Sequence, residues 1–328
     1  MALLLVRFEA GVELSADALG DRWGMAGLGV PAEFVLPRGQ LVTDLASESL
    51  VRPLVSVDGD VLGMWETKDQ LPRFWGGATT WIEQTLVTAH ARHAVVEVPC
   101  IGPRADQRAY IGEITSAVDE WVARFAQALE VVAEIDLHPN PRTAESDLAY
   151  VENLPIHVPL TDPPSWLSRG FQRINVYRSH AAASRAHVSD AVTLANARVV
   201  IPTEHLLLSD ARALLRRGDC RRAVIDAAAA CEVALSRSVR RRLLDLGTAS
   251  GYIDQALRSS RGIVDVYDLH AAVCVPLPIS RSRLIDQLAG RRNDAAHDGQ
   301  EPTGPEAIAA LAVAKTIVGS VSPIEVPD

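Results

Sequence analysis

His297 is the side chain in this sequence best placed to move protons, because it lies in the short run from Gly290 to Gly299 that also carries Arg291, Arg292, Asn293, Asp294 and Asp298. If the run is the end of a helix, Asn293 and His297 stand four apart and share a face, and Gly299 supplies the left-handed terminating residue. Arg292 then sits about 140° around the axis from His297. Only its long side chain, or a local break in the helix, brings it alongside. A histidine in a last turn lies at the negative end of the helix dipole, and Asp294 and Asp298 add to that field. Both favour the imidazolium, which places the titration where a proton-transfer group is useful. The plainer alternative is a capped helix end with a dipole-stabilised histidine and no chemistry.

Other candidates are weaker. His90 and His93 are close in sequence, but they lie by a strand, where a three-residue separation puts side chains on opposite faces. No Cys or further His follows at ligand spacing, so surface histidines are expected and no metal. Cys100, Cys220, Cys231 and Cys274 are scattered with no Cys-x-x-Cys pair, which reads as buried free thiols rather than a zinc knuckle or a disulfide framework. Trp65, Trp75, Trp81 and Trp121 offer faces on which bases stack, although Trp121 belongs to a helical apolar stripe and reads as core.

The elements that position these residues fall into two domains, the expectation for 328 residues that are 48% hydrophobic and 22% charged. All six Trp and all five Phe precede Pro202, and that shift marks the boundary. Residues 1–200 read as an α+β domain. Its strands are Leu3 to Phe8, Ala94 to Val98 and Phe171 to Tyr177, with a hairpin from Leu54 to Met64 turning at Asp58-Gly59. Apolar residues from Gly112 to about Ile135 recur at helical spacing, prolines from Pro139 to Pro164 punctuate a surface connection, and Ser179 to Ala197 reads as a helix.

Residues 202–322 read as an all-α, up-and-down helical bundle. Thr203 caps a first helix that Gly218 closes, and Asp219 caps a long second helix with an apolar stripe from Ala223 to Leu243. Arg221, Arg222, Arg237, Arg240 and Arg241 project from its other sides, a solvated face among acids before it is a track for phosphates. Helices follow at Tyr252 to Arg258, Ile263 to His270, Arg281 to about His297 and Glu306 to about Val321. The net charge of −9 excludes a protein that coats nucleic acid indiscriminately. That excess sits on the N-terminal part, since about sixteen cations and about sixteen anions balance after Pro202. The apolar run Met1 to Val6 is broken by Arg7 and Glu9, and no later segment reads as a membrane span, so a soluble, cytoplasmic protein is expected.

Across this last third the sequence resembles the HEPN superfamily, the higher eukaryotes and prokaryotes nucleotide-binding domains. Arg292-Asn293-Asp294-Ala295-Ala296-His297 matches the signature of Arg, a polar residue, a short spacer and His. Leu214-Leu215-Arg216-Arg217-Gly218-Asp219, Arg222-Ala223 and Ala230-Cys231-Glu232 resemble the family's first helix, Gly-Asp turn and long second helix bearing a Glu. The resemblance implies a homodimer through the helical domain and a metal-independent endoribonuclease without cofactors, of the kind that serves as a toxin or anti-phage effector with a trigger or cognate antitoxin as partner. It further implies that a ribose 2'-hydroxyl of an RNA substrate attacks the adjacent phosphate. His297 would move protons, Arg292 would stabilise phosphorane charge, and Asn293 would orient the imidazole or bond the phosphate. Arg291, with five intervening residues, is the alternative for the Arg role. Many HEPN domains are instead non-catalytic dimerisation and interaction modules, here with an N-terminal domain that binds a ligand.

Overall fold

The computed structural model describes residues 2–40, 49–51, 76–82, 85–98, 104–137 and 182–327. The chain divides into two compact units, one ending at Val199 and one spanning Val200–Val326. The first is built on a β-sheet, and the described elements of the second are all helices. Strands β1 (Ala2–Ser15), β2 (Arg22–Met25), β3 (Ala32–Val35), β4 (Arg38–Gln40), β5 (Ser49–Val51), β6 (Gly76–Ile82) and β7 (Thr85–Val98) form one antiparallel sheet in the order β2-β3-β7-β6-β5-β4. The long strand β7 organises it. β1 lies along one of its edges, from Ala2 opposite Val98 to Ser15 opposite Thr88, while β3 and β6 share the other.

β1 runs well beyond the expected Leu3 to Phe8 because it passes a bulge between Arg7 and Val12 and then pairs again. Gly11 makes that possible. Its φ is 72°, and a Cβ there would lie 2.0 Å from His90 Nε2, so the imidazole lies across a backbone that only glycine leaves bare.

Helix α1 (Arg104–Val132) covers the apolar positions expected from Gly112 onward and begins earlier. Phe34 on β3 meets Trp121 and Phe125 of α1 at centroid distances of 5.5 and 4.7 Å, and those two rings stack at 5.4 Å. Helix α2 (Arg185–Asn196) lies within the expected Ser179 to Ala197 segment. Its last residue ties the unit together. Asn196 Oδ1 accepts from Trp121 Nε1 and from the Ala26 N–H, both at 2.8 Å, and Asn196 Nδ2 donates to the Gly24 carbonyl at 2.9 Å. The Asp58-Gly59 hairpin, the proline-punctuated connection and the strand Phe171 to Tyr177 lie outside the described residues.

The second unit comprises α3 (Thr203–Arg216), α4 (Cys220–Asp245), α5 (Ser250–Ser259), α6 (Ile263–Val273), α7 (Arg281–Leu284), a π-helical turn (Ile285–Ala289), α8 (Gly290–His297) and α9 (Gly304–Val321). Asp219 caps α4 by accepting the Arg222 N–H at 3.1 Å. Thr203 does not cap α3. Pro202 takes that position in extended backbone, and the Thr203 hydroxyl faces Arg237 Nη2 at 3.4 Å instead. The core gathers Leu208, Val224, Ala227, Cys231, Leu235, Val266, Leu284, Leu288, Val313 and Ile317 from five helices and the π-helical turn, and the buried alanines 227, 228, 230 and 234 let neighbours approach α4 closely. Contrary to the sequence expectation, α9 is long and apolar enough to cross a membrane by length and composition. It packs here as a core helix, burying Ala307, Ala310, Val313, Ala314, Ile317 and Val318.

A buried carboxylate and a buried imidazole mark this unit. Glu204 is 1% exposed at the start of α3; it accepts from Arg237 Nη1 at 2.6 Å and from the Ser322 hydroxyl at 2.8 Å. Burial alone would raise its pKa, but hydrogen bonds from its own backbone N–H and from Ser322, with the Arg237 charge, hold it below the usual carboxylate value. His270 on α6 is 2% exposed, with Nε2 3.2 Å from the Ser238 hydroxyl and no partner at Nδ1.

Burial lowers the His270 pKa below the ordinary imidazole value. As pH falls through the ordinary range, the unfolded chain gains a proton at this position before the folded chain does. His270 therefore costs stability on acidification, by no more than about 1.4 kcal/mol for each pH unit separating the two titrations. Urea midpoints at pH 8 and pH 5.5 should fall further for wild type than for His270→Gln. An equal fall in both proteins would remove His270 from the acid response.

Candidate functional site

Residues 281–297 are helical in one continuous run, but not regularly so. In the π-helical turn the Gly290 N–H bonds to the Ile285 carbonyl, five residues back. A Cβ on Gly290 would lie 3.0 Å from that carbonyl oxygen, tighter than side-chain packing tolerates without adjustment. The turn packs against α9, and α8 packs against α4. Ala295 is the residue of α8 that is buried, whereas Asn293 and His297 are exposed and Arg292 is half-buried.

Arg292, Asn293 and His297 come together on that outer side. Arg292 Nη1 donates to Asn293 Oδ1 at 3.1 Å and lies 3.4 Å from His297 Nε2. Since α8 is α-helical from Gly290 to His297, the length of the arginine side chain closes the angular gap, and no local break is needed. A guanidinium has only donors, so the contact with His297 is a hydrogen bond in the tautomer whose Nε2 is bare. That nitrogen is the one able to take a proton. Past the histidine, the Asp298 and Gln300 N–H groups bond to the Asp294 carbonyl, and Gly299 has a φ of 67°, closing the helix as Gly299 was expected to.

Arg291 is occupied elsewhere. Its Nη2 lies 3.1 Å from Glu306 Oε1 and its Nη1 lies 3.9 Å from Asp294. Glu306 also accepts the Thr303 N–H and hydroxyl at 2.9 Å each, capping α9. Arg291 thus braces the start of α9, and Arg292 is the guanidinium that faces the imidazole.

Of the remaining candidates, His90 and Trp121 pack within the first unit. His90 leans over Gly11 with Nδ1 3.5 Å from Glu13, and His93 is three residues further along the same strand. Among the described residues no group of three or more His, Cys, Asp or Glu could hold a metal ion. Trp121 is fully buried; Trp65 and Trp75 fall outside the described residues. Cys220, Cys231 and Cys274 are free thiols, and burial pushes Cys231 far up, which keeps it protonated and inert.

Of the arginines on α4, Arg237 is bound to Glu204 and Arg240 to Asp254. Both line a surface groove of about 360 Å³ with Glu232, Ser236 and Leu257. No residue of α8 borders it. Glu232 thus lines a groove that the helix bearing His297 does not enter. No family model, curated protein or solved structure matches this chain.

Proposed function

We propose that this chain is a metal-independent endoribonuclease of HEPN type, acting in defence or as a toxin, whose helical unit is an up-and-down bundle that homodimerises. The contact between Arg292 and His297 on an exposed helix face carries the reading. As Arg292 Nη1 turns from His297 Nε2 to the phosphate, the single lone pair of that nitrogen is freed, and it takes the proton of a ribose 2'-hydroxyl whose oxygen attacks the adjacent phosphorus. Arg292 holds the charge that builds on the non-bridging oxygens, and Asn293 fixes the guanidinium from the other side. The bond from phosphorus to the 5'-oxygen breaks, the departing oxygen takes up a proton, and a cyclic phosphate remains.

One chain brings one such imidazole, so a mechanism with separate acid and base favours two copies across a twofold axis. The first unit would sense a trigger or present the RNA. A binding module without catalysis would call for a His297 packed away from Arg292; an exposed ring in contact with the guanidinium favours catalysis.

The full chain should cut single-stranded RNA in the presence of EDTA and leave 2',3'-cyclic phosphate ends. Arg292→Ala should slow the cut about 100-fold or more, with Arg292→Lys intermediate. Cleavage that EDTA abolishes, or that Arg292→Ala leaves intact, would overturn the assignment.

A further inference from the structure

We infer that Arg221 is a positioning residue for His297, acting through the backbone of α8; the inference rests on the ribonuclease reading of this site. A helix leaves its last four carbonyls without partners of its own, and in α8, eight residues long, these belong to the turn that carries the histidine. The Asp294 carbonyl is satisfied by the N–H groups of Asp298 and Gln300 at 3.2 and 3.1 Å. The Ala295 carbonyl receives Arg221 Nε of α4 at 2.8 Å. This bond joins the inner side of the turn to the long helix of the core, while His297, two residues on, faces solvent.

The placement of Arg221 is otherwise unfavourable. It stands in the first turn of α4, right after Cys220, where a cation opposes that helix's own dipole. At the C-terminal end of α8 the same cation is favoured. The bond uses Nε, the nitrogen within the guanidinium arm, so the contact fixes the arm as well as the carbonyl. Lysine reaches the carbonyl with its terminal amine alone and reproduces the contact only in part. Without the contact the last turn is free to fray, and His297 Nε2 leaves its station 3.4 Å from Arg292.

The test uses the full chain in two variants, Arg221→Ala and Arg221→Lys, with two readouts. The first is the ring spectrum of His297 in histidine-labelled protein, its signal identified by its loss in His297→Asn. The second is steady-state cleavage of an RNA oligomer in EDTA. Arg221→Ala should move the His297 ring signals and lower kcat about 10- to 100-fold at unchanged KM, and Arg221→Lys should return both part of the way. Ring signals identical to wild type in Arg221→Ala overturn the inference. So does a raised KM at unchanged kcat, which makes Arg221 a contact to substrate phosphate.

If Arg221→Ala does not fold, Arg221→Lys decides by the same two comparisons. If wild type cuts no RNA, the ribonuclease reading falls on that result, and the ring spectra still decide whether Arg221 holds His297.

Discussion

Replacing His297 with alanine should reduce RNA cleavage about 10²- to 10⁴-fold, the range spanned by a single general acid or base, and leave the unfolding transition where it is. The second half follows from exposure. The ring projects from the last turn of α8, and its contact in the described residues is with Arg292 Nη1, so truncation opens no cavity and orphans no buried group. The first half follows from Nε2, the nitrogen that would take the hydroxyl's proton once Arg292 turns from it to the phosphate. His297→Gln should be nearly as inactive as alanine, because a carboxamide keeps a polar group in place but does not titrate. Initial rates on an oligonucleotide in EDTA, alongside urea unfolding of each variant, measure both halves. A His297→Ala protein that cuts RNA at the wild-type rate would take the imidazole out of the reaction.

Trp121→Ala should destabilise the first unit by about 3–5 kcal/mol, the usual cost of truncating a fully buried tryptophan. Its ring is 0% exposed and lies against both Phe34 and Phe125, so alanine leaves a cavity walled by aromatic rings. The loss includes the hydrogen bond from Nε1 to Asn196 Oδ1. The Ala26 N–H still holds that oxygen, which limits the polar part of the cost. Denaturant unfolding followed by far-UV circular dichroism should show an early transition in Trp121→Ala and a smaller shift in Trp121→Phe. Were Trp121 a platform for bases, alanine would leave the unfolding midpoint within about 0.5 kcal/mol of wild type and weaken RNA binding instead.

The helices of the second unit were readable because their signals are local. Asp219 and Gly218 mark one junction, and the apolar stripe of α4 spans many turns. The sheet was less so. β3, β4 and β5 are three or four residues long, too short to show a period, and β3 and β5 also pair with strands far along the chain. The first half of β7 mixes Thr, His and Arg among its alanines and carries no clean alternation, so the apolar end, Ala94 to Val98, stood out alone.

At the site, residue types and spacing named Arg292, Asn293 and His297, and the geometry brings the three together. Which arginine faces the imidazole was not readable. It depends on Glu306, which belongs to the next helix and draws Arg291 away. The role of Arg221 was equally hidden, since a carbonyl acceptor leaves no mark on residue identity.

The five-residue turn at Ile285–Ala289 works as an angular offset between two stretches of one rod. Upstream of it, Leu284 is anchored in the core; downstream, Ala295 is the contact that sits against α4. Each residue of a regular helix advances about 100° around the axis, and a wide turn absorbs roughly one such step. Losing one residue from that turn would restore an even winding, and whatever follows would swing by about that angle. Either Ala295 would keep its seat and Leu284 would rotate out, or Leu284 would stay and the face bearing Arg292 and His297 would roll toward the protein. The bearing of Arg292 and His297 is thus set by a count of residues upstream of them, and a chain one residue shorter there would carry the same motif aimed elsewhere.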